Sequence, residues 1–229
     1  MTEPAARKSD LTVRVASAVA MVAVAGTALW LGDWSFAAFV MLVALGVYLE
    51  WWNLVRGLAT SPTGRVAWMA GGAIYIGVAA LALIRLREES LAVALEVLLM
   101  VIAVDIGAYF AGRAIGGPKI APRISPSKTW AGLGGGIVAA ALVHAAIMRW
   151  TYVGYDTASL PTIAGLSVLA GAVVAVIAQC GDFFESWMKR RAGVKDSGAL
   201  IPGHGGLLDR VDGLIAVSFF AGLLIGLAG

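Results

Sequence analysis

Cysteine is almost missing from this chain: Cys180 stands alone among 229 residues. A disulfide framework and a multi-cysteine metal site are thereby excluded. Histidine is nearly as scarce, with only His144 and His204, so a His-rich metal cage is excluded as well. Charge is the third shortage. Asp, Glu, Lys and Arg together make up 14% of the residues, against about 25% in soluble domains. A soluble globular domain, a disordered chain and a coiled coil all carry more charge than that.

What is present instead is apolar. Hydrophobic residues make up 60% of the chain and the mean hydropathy is +0.86. A spanning helix takes about 20 residues. Apolar runs near that length lie at roughly 13–31, 34–54, 66–84, 91–110, 130–148, 161–184 and 211–228. They predict an all-α fold, a polytopic transmembrane helical bundle of about seven spans. The first run follows Arg7 and Lys8 and contains Ala23-Val24-Ala25, as a cleavable signal peptide would. It continues through Leu31, too long for a typical signal, and is read as an uncleaved first span.

Orientation follows from where the cations fall. Of the 17 Lys and Arg residues, only Arg85, Arg87 and Arg149 lie on one alternate set of connections; the rest lie on the other. The positive-inside rule places the N-terminus in the cytoplasm. The two long polar connections, about 111–129 and 185–210, then face the cytoplasm too. The excess of positive charge, +3 overall, is topogenic and calls for no nucleic acid. The third and fifth spans are rich in glycine, and Gly132 and Gly136 form a G-x-x-x-G, which reads as close helix packing. Gly134-x-Gly136-x-x-Ala139 fits a dinucleotide fingerprint only superficially, because it follows no strand.

Acids in or beside spans are costly and need a reason. Asp105 and Asp182 lie near the cytoplasmic ends of the fourth and sixth spans, and Asp209 and Asp212 open the seventh. Two readings stand for Asp209: a helix N-cap, or one donor of a hard-cation site with Asp182 and Asp212. Magnesium takes one or two protein carboxylates, with phosphate and water completing its shell. Between these acids lies Lys195-Asp196-Ser-Gly-Ala-Leu-Ile-Pro-Gly-His204-Gly205-Gly206, flanked by Lys189, Arg190, Arg191 and Arg210. Its glycines let backbone N–H groups approach an anion. The other cytoplasmic connection carries Arg113, Lys119, Arg123 and Lys128, with hydroxyls at Ser125, Ser127 and Thr129. Such a loop suits nucleotide or lipid phosphate, or anionic headgroups. Glu50 and Glu96 sit within apolar runs with no partner to name from sequence, and His144 reads as a packing or interface residue.

The segment Ser186-Trp-Met-Lys189-Arg190, four residues, Lys195-Asp196-Ser-Gly-Ala-Leu-Ile-Pro-Gly-His204-Gly205-Gly206-Leu-Leu-Asp209-Arg210-Val-Asp212 resembles the signature of phosphatidate cytidylyltransferases, the CDP-diacylglycerol synthases. Asp105-x-x-Ala-Tyr-Phe-x-Gly-Arg113 and Ser125-Pro-x-Lys128-Thr129 resemble the family as well. The resemblance covers about the C-terminal half and implies transfer of CMP from CTP to phosphatidic acid, with release of pyrophosphate. It implies a metal centre at Asp182, Asp209 and Asp212, holding magnesium and room for a second cation, monovalent or divalent. Catalytic roles are then expected for those three acids with Lys195, His204 and Arg210. Substrate contacts are expected at Asp105, Arg113, Ser125, Lys128, Thr129, Lys189, Arg190, Asp196, Gly205 and Gly206. The expected organisation is N-terminal membrane helices over 1–110 and a catalytic membrane region with two cytoplasmic loops over 111–229. The expected setting is the inner cell membrane, crossed several times, with the active site facing the cytoplasm, the bilayer as partner, and a homodimer. Rival readings are a CTP-dependent enzyme acting on a polyprenol or archaeol lipid, and a non-catalytic membrane scaffold. A CDP-alcohol phosphotransferase is excluded, since no two Asp are four apart.

Overall fold

The computed structural model describes residues 4–151, 160–201 and 205–228. Its helices are α1 (Pro4–Leu31), α2 (Asp33–Leu58), α3 (Pro62–Glu89), α4 (Leu91–Ala114), α5 (Trp130–Thr151), α6 (Leu160–Ala192) and α7 (Leu208–Ala228). Each expected apolar run is a helix. α1 to α6 are long and apolar enough to cross a membrane. α7 has 21 residues. It opens on Asp209, Arg210 and Asp212, and does not meet the same criterion, so six candidate spans stand among the described residues. Among the described residues the structure is helical apart from one hairpin and an isolated bridge between Ile201 and Gly205. β1 (Lys119–Ala121) and β2 (Ser125–Thr129) pair antiparallel between α4 and α5. Pro118, Pro122 and Pro126 deny this loop a helix, and its short extended pieces find each other instead.

The chain divides into two compact units. One holds residues up to Leu91 together with Met188–Val211; the other holds Ala92–Trp187 together with Asp212 onward. In the first, Val47, Leu54 and Val55 are buried on α2, and the Trp51 indole N–H donates to the Trp68 carbonyl at 3.0 Å. Ser61 caps α3, accepting the Gly64 N–H at 3.1 Å, with Pro62 in the first turn. Arg87 donates to the carbonyls of Leu29 at 2.8 Å and Trp30 at 3.3 Å, satisfying acceptors that the end of α1 leaves open.

In the second unit, Met100, Val101 and Val104 of α4 pack with Ala140, Ala175, Ala178 and Val217. α4 and α5 meet through glycine. A Cβ on Gly135 would lie 2.6 Å from the Gly107 carbonyl oxygen and 2.3 Å from the Ala111 Cβ. Gly132 and Gly136 face α4 backbone in the same way, as expected of a packing motif. His144 is more than a packing residue. Its Nδ1 lies 2.9 Å from the Ser167 hydroxyl and its Nε2 3.5 Å from Glu96, so one imidazole ties α4, α5 and α6 and supplies the partner Glu96 lacked. Trp30, Trp34 and Trp150 are exposed at helix ends, where a bilayer interface takes such rings.

Replacing Gly135 by Leu forces a side chain into the α4 backbone. The variant is expected to lose about 2 kcal/mol or more of stability, read as a lowered melting temperature in detergent micelles. Melting like the wild type would show that the two helices can part without cost.

Candidate active site

The first unit builds a loop around a buried acid. Glu50 is 2% exposed on α2. One of its oxygens accepts the Leu207 N–H at 2.9 Å; the other accepts the Leu208 N–H at 2.8 Å and lies 2.9 Å from the Ser197 hydroxyl. The first N–H groups of a helix have no partner within it, so a carboxylate from α2 caps α7. The positive end of the helix dipole favours that charge. Asp209 completes the arrangement. Its Oδ1 accepts Lys189 at 2.5 Å, and its Oδ2 accepts the backbone N–H groups of Ser197 and Gly206, each at 3.0 Å. The Ser197 hydroxyl is within reach of both acids, and its single proton serves one at a time. Gly206 is required here, because a Cβ would lie 2.0 Å from the Ser197 hydroxyl and 2.7 Å from Glu50.

The N-cap reading of Asp209 is thus half right. Its side chain reaches back to Gly206, but the helix-opening donors belong to Glu50. Arg190, Lys195, Asp196 and Arg210 are exposed. Gly205 adopts φ +81° and its carbonyl accepts the Ile201 N–H at 3.1 Å. His204 lies outside the described residues.

The second unit holds an open cavity of about 450 Å³. Asp105, Tyr109 and Arg113 of α4, Lys119 and Lys128 of the hairpin, and Gln179 of α6 line it. Lys128 donates to Asp182. Burial alone would lower the Lys128 pKa, but the fields of Asp182, Asp105 and Asp212, with the hydrogen bond to Asp182, outweigh it. The ammonium is held above its ordinary range. Asp212 stands within hydrogen-bond reach of Asp182, and its Oδ1 accepts the Gly213 N–H at 2.9 Å. Thr129, expected to contact substrate, also caps α5 by accepting the Gly132 N–H at 3.0 Å. Ser125 opens β2 opposite Ala121.

Among the described residues, no three His, Cys, Asp or Glu side chains are gathered as a ready metal cage. Asp182 and Asp212 form a carboxylate pair with Lys128 as counter-ion. A pair is what magnesium asks of a protein when phosphate oxygens complete its shell. Two residues escaped the sequence. Glu50 was visible, but its partners are distant in the chain. Gln179 carries a signal in the sequence too, as an amide inside an apolar run three residues before Asp182.

Two outcomes follow from these contacts. Glu50→Gln replaces one accepting oxygen by a donor, which strands at least one N–H or hydroxyl at a cost of about 1–3 kcal/mol. Trypsin should then cut at Lys195 faster than in the wild type; equal rates would show that the cap holds nothing. For Lys128 the folded pKa is raised, so its ion pair contributes fully below the ordinary lysine pKa of about 10.4. The contribution is lost as pH rises through the raised value. The melting-temperature gap between the wild type and Lys128→Met should be constant from neutral pH to about 10 and close above it.

Residues 59–228 match the cytidylyltransferase family. A phosphatidate cytidylyltransferase of Brucella suis is 35% identical, over 92% of this chain and 91% of its own. One from Rickettsia bellii is 35% identical over 91% and 88%. One from Pseudomonas aeruginosa is 38% identical over 82% and 69%. With most of its length matched, a helical membrane bundle as its frame and its acids gathered beside basic residues, the chain belongs to the cytidylyltransferase family.

Proposed function

We propose that this protein is a phosphatidate cytidylyltransferase: it transfers CMP from CTP to phosphatidic acid, giving CDP-diacylglycerol and pyrophosphate for phospholipid synthesis. One observation carries the reading. A cavity lined by Arg113, Lys119 and Lys128 adjoins the Asp182–Asp212 carboxylate pair within the helical second unit of a cytidylyltransferase. Cations there suit a triphosphate, and the membrane frame suits a lipid acceptor.

A phosphate oxygen of phosphatidic acid attacks the α-phosphorus of CTP. A new P–O bond forms as the bond to the β-phosphate breaks, and pyrophosphate carries away the electron pair. The attacking phosphate is already an anion at neutral pH, so no strong base is needed. The protein's task is to hold two polyanions against their repulsion and to stabilise spreading charge. Lys128 stays protonated throughout and does this at the cavity wall. Arg113 and Lys119 add charge to the lining of the same cavity. Magnesium is the proposed cofactor, with Asp182 and Asp212 as its protein ligands. When bound, it neutralises phosphate oxygens as a Lewis acid. Asp209 holds Lys189 and the glycine-rich loop through both its oxygens.

The cation distribution supports a cytoplasmic N-terminus and a cytoplasm-facing site, and the inner membrane is the proposed setting. α7 is proposed as the seventh span, its charged first turn lying at the interface. The test is turnover by purified protein in mixed lipid–detergent micelles, with and without magnesium. Magnesium-dependent formation of CDP-diacylglycerol and pyrophosphate is expected. Asp182→Asn and Asp212→Asn should each lose about 100-fold or more, the scale of removing one charge-stabilising group. Asp209→Asn should lose activity with membrane insertion intact. Metal-independent turnover, or near-normal rates in Asp182→Asn and Asp212→Asn, would overturn the assignment.

A further inference from the structure

We infer that Gln179 and Asp105 form a nucleobase-reading end of the cavity in the second unit. The inference rests on the proposed function and names how that site tells one nucleotide from another. Gln179 is 4% exposed. Neither its Oε1 nor its Nε2 has a hydrogen-bond partner among the described residues. The residue lines the cavity. An amide kept in an apolar bundle with donor and acceptor both unmet is rare in folded proteins, unless a ligand or water answers it.

The chemistry of the amide narrows the ligand. Gln179 offers one acceptor and one donor group side by side. Ionised phosphate oxygens and the ester carbonyls of a diacylglycerol only accept, so either would leave Oε1 unanswered. The edge of cytosine carries an amino donor at N4 beside the acceptor N3, which is the complement of the amide. Asp105 adds discrimination. An ionised carboxylate only accepts, so it welcomes the N4 amino group of cytosine and repels the O4 oxygen of uracil. Gln179 alone cannot make this choice, because its amide can turn over; Asp105 supplies it.

The dimensions agree. The cavity, about 450 Å³, falls within the range of small-ligand sites. Asp105 lies about 12 Å along α4 from Arg113. For a nucleotide with its base at Asp105 and Gln179, Arg113 and Lys119 line the same cavity and can answer its phosphates.

The test uses the full-length protein in detergent. CTP binding without lipid is measured by calorimetry, and KM is measured separately for CTP and phosphatidic acid. Gln179→Met keeps the length and removes both hydrogen-bonding groups. CTP affinity is expected to fall and its KM to rise about 10- to 100-fold, the range for losing a bidentate base contact. The KM for phosphatidic acid should stay unchanged. Asp105→Asn exchanges an acceptor-only group for one that can donate to O4, so the ratio of kcat/KM for CTP over UTP should fall about tenfold or more. This second variant decides the matter if Gln179→Met fails to fold. Unchanged CTP binding in Gln179→Met would mean that the amide holds only water, and would overturn the inference. So would a rise in the KM for phosphatidic acid alone, or an unaltered CTP preference in Asp105→Asn. If the wild type binds CTP but forms no CDP-diacylglycerol, the proposed reaction fails while the binding measurements still decide the base contact.

Discussion

A carboxylate carried into an apolar helix bundle has to be answered by protein donors, since hydrocarbon offers none. Much of the polar architecture of this chain follows from that constraint. Glu50 is answered by the first N–H groups of α7 and by Ser197. Asp182 is answered by Lys128, and Glu96 lies beside His144. In each case the partner comes from a different secondary-structure element, so satisfying the charge also locks the elements together. An acid that would be a liability on a lone helix becomes the tie that fixes a loop or a helix end.

The glycine-rich loop shows how far this goes. Four of its twelve residues, 195–206, are glycine, a composition that favours backbone freedom. Two acids organise it instead. Glu50 takes the helix-opening donors, while Asp209 takes Lys189 and two backbone N–H groups. Gly206 lets both acids come within contact of the same turn. For a reaction that needs little proton transfer, holding anions in place is the larger part of catalysis. A loop positioned by buried charge is suited to that work.

The second unit depends on a different economy of space. Gly107, Gly132, Gly135 and Gly136 bring the backbones of α4 and α5 together. Thr129 caps α5 immediately after the hairpin, which sets Lys128 at the cavity wall. Thr129 therefore caps a helix as well as lining the cavity.

Much was legible in the chain itself. Apolar runs of spanning length, the uneven placement of lysine and arginine, and the G-x-x-x-G follow from local physics: hydrocarbon thickness, topogenic charge and small-residue packing each act over one helix or one loop. The acid and basic residues of the signature were legible by type. What remained hidden was pairing. That Glu50 caps a helix more than 150 positions away, that Lys128 of the hairpin meets Asp182 of α6, and that proline-broken loop residues pair as strands are decided only when the chain folds. The unanswered amide of Gln179 belongs to the same class. Its meaning lies in a cavity whose walls come from three separate stretches of chain, and no periodicity along one stretch can reveal what faces it across the others.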